Sequence, residues 1–204
     1  MVDLDIQPVG LEQLASVGQV FGPRRATRHC WCMAFCSNRR QFALGWYGGG
    51  NRRRFEAMAV SQPDPMGVVA LRDGEPQGWC ACGPRSRYAA ALSGRSDLLS
   101  ERPREEDDDV WLIACIIVRP DVAAAGVLRP LLRGAISLAR NAGAAAVEAW
   151  PLAAGVRLPE YAHVGREAVF AHLGFTRVAQ PRRQRVIMRL DLVTAGPNPA
   201  MLTE

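Results

Sequence analysis

A chain of 204 residues in which 49% of side chains are apolar can bury a full core without disulfides or a metal, and its length suits one domain. No run of eighteen apolar residues occurs, which excludes a membrane-spanning helix. The formal charge is +5 and all 25 basic residues are arginine, but the clusters at 24–25, 52–54 and 182–183 are scattered and lack interleaved aromatics, so no nucleic-acid module is expected.

The opening residues MVDLDIQPVG carry early acids and no basic-then-apolar signal, which predicts a cytoplasmic protein with reduced thiols. VDLDIQPV alternates as a strand and LEQLASVGQVF reads as a short helix. The next stretch, through Arg40, is rich in Cys, Arg and aromatics and gives no clear period. FALGWY suggests a helix broken at Gly48-Gly49-Gly50, after which Asn51 is expected to cap a helix through RRRFEAMAV. MGVVALR and QGWCACGPR flank Asp73-Gly74, a strong hairpin signal. SRYAAALSG adds a helical turn, and SERPREEDDD, with five consecutive acids, reads as a solvated loop. VWLIACIIV is apolar throughout and predicts a central strand covered on both faces.

Apolar residues at 127, 128, 131, 132, 135, 136, 138 and 139 then define a helix closed by Gly143. AAVEAWPL is a further strand, and GREAVFAHLGF a helix ending at Gly174. TRVAQ and RVIMRLDL, joined by a turn at Pro181-Arg182-Arg183, form the last strand pair. Two Cys-x-Cys pairs, 30/32 and 80/82, lack the Cys-x2-Cys spacing of a zinc knuckle, so no metal site is expected; a zinc-stabilised regulatory protein is a reading that rests on the cysteines alone.

The corner VRPDVAAAGVLRPLLRGAISLAR joins the apolar strand to the long helix. The first turn of a helix has unpaired amides and the positive end of its dipole, and small side chains let an anion reach them. A plain turn and a phosphate cradle both fit these residues. Glu148 lies in an apolar strand, where a carboxylate is costly unless it is functional or paired with an arginine. Trp31, Phe35, Trp46 and Tyr47 are candidate lining for an acceptor pocket, and Trp111 reads as core.

The order of elements, with the hairpin VALRDGEPQGWCACGPR, the corner IIVRPDVAAAGVLRPLLRGAISLAR and the closing VFAHLGFTRV, resembles the GNAT family of acetyl-CoA-dependent N-acetyltransferases. The resemblance covers residues 1–192 and is strongest over 68–190. It implies an α/β (α+β) fold: one domain over 1–192, built on a mixed, largely antiparallel sheet flanked by helices, with 193–204 a disordered tail. Strand 110–118 would splay from strand 145–150. Acetyl-CoA would be the co-substrate, its pantetheine arm along the backbone of Ile116, Ile117 and Val118. Its pyrophosphate would sit on amides of Ala123, Ala124, Ala125, Gly126, Val127 and Leu128, with Arg129 in reach. The acceptor would be a primary amine on a small molecule or a protein lysine, and a homodimer is compatible with the reading. Arginines in the 21–60 region hint at an anionic or carboxylate-bearing acceptor. Glu148 is the leading general base, Asp109 the second candidate, and Tyr161, with His163 and His172 as further candidates, the acid for the thiol.

The chain departs from the family pattern Arg/Gln-x-x-Gly-x-Gly/Ala, because only Gly126 matches it in Ala123-Ala124-Ala125-Gly126-Val127-Leu128. Leu128 stands where a side chain is almost absent in the family, and Phe170 where many members place a tyrosine. These features support the alternative of a catalytically weak or inactive GNAT-like regulatory module that binds CoA or another ligand.

Overall fold

The computed structural model describes residues 4–22, 27–88, 90, 99, 101–122, 126–156 and 164–192. The strands are β1 (Asp5–Pro8), β2 (Gly67–Arg72), β3 (Glu75–Pro84), β4 (Val110–Val118), β5 (Ala146–Ala149), β6 (Thr176–Arg182) and β7 (Arg185–Asp191). They form one seven-stranded sheet in the order β1-β2-β3-β4-β5-β7-β6. Every neighbouring pair is antiparallel except β4–β5. The helices are α1 (Leu14–Phe21), α2 (Met33–Cys36), α3 (Arg39–Gly45), α4 (Gly50–Ser61), α5 (Leu128–Asn141) and α6 (Glu167–Ala171).

The two faces of the sheet bury separate cores. Val69, Trp79, Leu112 and Trp150 pack with Val17 and Phe21 of α1 and Phe55 of α4. Val68, Cys80, Ile113 and Val147 pack with Leu131, Leu132, Ala135 and Ala139 of α5. Eight of the nine β4 residues are therefore buried, as expected of a strand covered on both sides. At Gly78 a Cβ would stand 3.0 Å from Ile117 O and 3.3 Å from Leu131 Cδ2, so the missing side chain is what lets α5 lie close to β3. The predicted hairpin forms with Asp73 at φ 51° and Gly74 at φ 79°, the two positive angles of a turn whose twist matches its strands.

Several expectations are corrected. α3 starts at Arg39 because Asn38 and Gln41 cap it reciprocally: the Gln41 amide donates to Asn38 Oδ1 (2.9 Å) and the Asn38 amide to Gln41 Oε1 (3.3 Å). Gly49 at φ 71° is the N-cap of α4, not Asn51. Asn51 is buried inside the first turn, and its Nδ2 donates to His29 O (2.8 Å) and Phe42 O (3.3 Å), pinning three segments of the 27–61 region together. β6 runs through Pro181 and Arg182, so the closing turn falls at Arg183-Gln184. The acidic run is not merely solvated, because Glu106 and Asp107 are drawn into ion pairs by the buried Arg85.

Candidate functional site

β4 and β5 pair from Val110–Ala146 to Ile113–Ala149 and then part. Two local causes are visible. In the β3–β4 register Ala81 faces Cys115 and Cys82 faces Ile113, so Ala114 is an extra residue that bends β4. Beyond Ala149 the other chain is held elsewhere: Val186 N–H donates to Pro151 O, Leu152 N–H to Gly165 O and Glu167 N–H to Leu152 O. Trp150 bridges the parting, its Nε1–H donating to Ala114 O at 3.0 Å. The indole thus satisfies a buried carbonyl that a neighbouring strand would otherwise take. A Cβ on Gly165 would stand 3.0 Å from Phe170 Cε2 and 3.6 Å from Ile116 Cδ1, which locates the start of α6 against β4 just past the bulge.

β4 leads into a 3-10 turn at Pro120–Val122, tied down by an Arg119–Asp121 ion pair of 2.7 Å. Gly126 takes φ 73° with open space around it, so backbone conformation rather than crowding calls for glycine there. Val127 provides no side-chain cap for α5, and the first helical bond runs from Leu131 N–H to Val127 O. The amides of Leu128 and Arg129 therefore precede the helical bonding pattern, and Pro130 has none to leave unpaired. Leu128 turns partly into the α5-side core, and Arg129 is exposed. Ala123, Ala124 and Ala125 lie outside the described residues.

Solved structures share this overall fold. An acetyltransferase of the GNAT family from Streptococcus pneumoniae matches with a TM-score of 0.53 and 11% identity, over 93% of this chain and 100% of that one. The fold is that of the GNAT acetyltransferases. The GNAT-fold structure of yncA from Salmonella typhimurium, solved with its cofactor acetyl-CoA, matches with a TM-score of 0.54 and 17% identity over 96% of this chain and 98% of that one. Agmatine N-acetyltransferase, solved as an apo mutant, matches at 0.56 and 12% over 93% and 100%. No family model matches the sequence, and no curated protein sequence matches it.

Within this GNAT fold, Glu148 faces Leu112 in the β4–β5 register, two residues before the bulge. It is buried, with Arg85 Nη1 at 3.1 Å from Oε2 and Arg189 Nη1 at 3.4 Å from Oε1. The pairing anticipated from sequence is present, and it is a hub rather than a single contact. Arg85, itself fully buried, also reaches Glu106 (3.5 Å), Asp107 (3.2 Å) and Pro103 O (2.9 Å). Glu148 and Arg189 line a cavity of ≈ 560 Å³ together with Leu99, Arg102, Gln180 and Ile187. Its charged lining is balanced, the carboxylates of Glu101 and Glu148 against the guanidiniums of Arg102 and Arg189.

Asp109 is exposed and stands five residues before the bulge, about 16 Å along an extended strand, so the structure does not bring it to the gap. Tyr161 and His163 lie outside the described residues. His172 is exposed, with Nδ1 2.6 Å from Ala168 O at the end of α6. Phe170 is fully buried, edge-on to Phe175 at 5.2 Å. Trp111 is core, as read; Tyr47 is 81% exposed, and Phe35 packs on Trp150 at 5.4 Å. The cysteines divide between the two faces, Cys80 and Cys82 toward α5 and Cys32 and Cys115 away from it. Burial pushes Cys30 and Cys82 up to about 12, so neither thiol ionises near neutral pH. Among the described residues no group of three His, Cys, Asp or Glu side chains converges as a ligand set.

Trp150 and Arg85 escaped the sequence reading. An indole beside an apolar strand looks like core, and one arginine among 25 carries no mark of burial.

Glu167 fastens the chain that borders the gap. Its carboxylate accepts from the Ala154 amide (2.9 Å) and from Arg177. Burial alone would raise its pKa, but the bonds from Arg177 and Ala154 outweigh it and hold the carboxyl below its ordinary value. A depressed folded value means the contribution is complete above the unfolded pKa of about 4.3 and fades as pH falls through the folded one. Acid titration is expected to loosen the contacts of Glu167 with Ala154 and Arg177 below about pH 4, and Glu167→Gln to abolish that local transition. Amide hydrogen exchange of Ala154 across the titration measures it, and an unchanged transition in the variant excludes Glu167 as its source.

Proposed function

We propose that the protein is an acetyl-CoA-dependent N-acetyltransferase acting on a primary amine. The observation that carries this reading is the parting of β4 from β5 at Ala114, which leaves Cys115 to Val118 outside the paired register on a path to the uncapped start of α5. Those features fit the co-substrate: an extended arm can pair with strand backbone, and a diphosphate suits amides at a helix start with no side chain on Gly126. Bound acetyl-CoA would supply the acetyl group as a thioester. The yncA structure, which shares the fold, contains that cofactor.

The cavity beside Glu148 is the proposed acceptor pocket. Leu99 and Ile187 offer apolar contact for the body of an amine, and the carboxylates of Glu101 and Glu148 can accept from its nitrogen. In the transfer, the amine nitrogen forms a bond to the acyl carbon as the carbon–sulfur bond breaks. Glu148 takes a proton from the nitrogen, directly or through a water, and the departing sulfur receives one. A small-molecule amine fits this pocket; a lysine at a protein surface is the other acceptor of the same chemistry.

Calorimetric titration with acetyl-CoA followed by thiol release over a panel of amines tests the reading. Absence of binding overturns it. Binding without release across the panel gives the second reading, a CoA-binding regulatory module, which the buried Phe170 favours because it cannot donate a proton. Glu148→Gln is expected to lower turnover by about 10²-fold or more while acetyl-CoA affinity is retained. An unchanged rate removes Glu148 from the reaction.

A further inference from the structure

A second cavity, of ≈ 590 Å³, opens between α1 and the α3–α4 corner and shares no lining residue with the one beside Glu148. Arg28, His29 and Arg52 line it, and among the described residues no acidic side chain does. Arg52 is paired with Glu56, and an anion entering the cavity would meet Arg28 and His29 beside that pair. Each arginine makes one contact through Nε, Arg28 to Gly22 O (3.1 Å) and Arg52 to Glu56 (2.7 Å).

The backbone beneath is held under strain. Trp31 and Cys32 adopt φ 48° and 54°, a left-handed conformation that costs bulky residues about 1–3 kcal/mol each. Trp31 is locked there by Phe21 stacked at 5.1 Å, by the Arg52 guanidinium 5.4 Å from its ring, and by its Nε1–H donating to Arg28 O at 3.1 Å. The segment that carries Arg28 and His29 is therefore rigidly placed. Gly49, the N-cap of the twelve-residue α4 with no side-chain cap, also lines the cavity, so the positive end of that helix adds to the field.

We propose that this cavity binds a phosphomonoester. Its dianionic group would lie among Arg28, His29 and Arg52, and its organic body along the α1 wall of Leu14, Ala15 and Gly18. A dianion with three acceptor oxygens matches two guanidinium forks and a helix start better than a carboxylate does. The volume exceeds a bare phosphate and falls within the range of small-molecule pockets, about 300–1,000 Å³. The site is independent of the acetyl-transfer reading.

Phenyl phosphate titrated against the full chain is the test. It is expected to move the Trp31 indole N–H resonance saturably and to raise Tm. Arg28→Gln/Arg52→Gln is expected to weaken binding by about 10²-fold, about tenfold for each charge-assisted contact, while the far-ultraviolet spectrum stays that of the wild type. Both side chains are exposed, and should the double variant not fold, Arg28→Gln alone carries the tenfold expectation. A resonance that does not move at saturating probe overturns the proposal, as does equal binding by the variant. Benzoate binding as tightly as phenyl phosphate overturns the phosphate assignment, and inorganic phosphate binding as tightly overturns the organic body.

Discussion

Arg85→Met is expected to destabilise the protein by about 3–5 kcal/mol, the loss that follows removal of one partner from a buried ion pair. Arg85 has no exposed side-chain surface, and it holds Glu148, Glu106 and Asp107 at once. Methionine keeps the aliphatic volume but leaves Glu148 buried with only the 3.4 Å contact to Arg189. The penalty comes from that stranded carboxylate more than from the lost attraction. Urea denaturation of Arg85→Met and of Arg85→Met/Glu148→Gln separates the two contributions. The double variant is expected to recover part of the stability, since the amide carries no charge to strand. A loss under about 1 kcal/mol in the single variant would show that the network is water-accessible and its charges screened.

Trp150→Phe is expected to cost about 1–3 kcal/mol, the penalty for leaving a buried carbonyl unsatisfied. The ring contact with Phe35 survives this change, but the bond from Nε1–H to Ala114 O does not. Because that bond spans the point where β4 leaves β5, acetyl-CoA affinity is expected to fall along with stability. Urea midpoints and calorimetry on the same samples measure both. Normal cofactor affinity in a destabilised Trp150→Phe would confine the indole to a purely structural role.

The sheet was legible where pattern and chemistry agree. VWLIACIIV could only be a strand covered on both faces, and Asp73-Gly74 between apolar runs could only be a tight hairpin. The α5 stripe was equally plain, because its buried residues recur at helical spacing. The 27–61 region was opaque for a physical reason. Its short helices are set by a reciprocal cap at Asn38 and Gln41 and by one buried amide, Asn51, which bonds to residues 22 and nine positions earlier. Such contacts leave no period. Asp109 misled because neighbouring acids sit at the mouth of the right strand but at its wrong end, and the run SERPREEDDD hid two carboxylates that only a buried arginine could draw inward. Glu148 was visible as an anomaly in an apolar strand, and the structure gives the anomaly both partners and a cavity.

β1 to β4 and β5 to β7 are two antiparallel blocks joined along a seam of four facing residue pairs. Arg85 stitches across that seam from the end of β3 to Glu148, below the point where the blocks diverge. The arrangement works as a clothes-peg: a short clamped spring at one end, jaws at the other. Prising the jaws apart would load the stitched end, so a change at Arg85 is expected to alter how wide the slot stands, although Arg85 itself has no exposed side-chain surface.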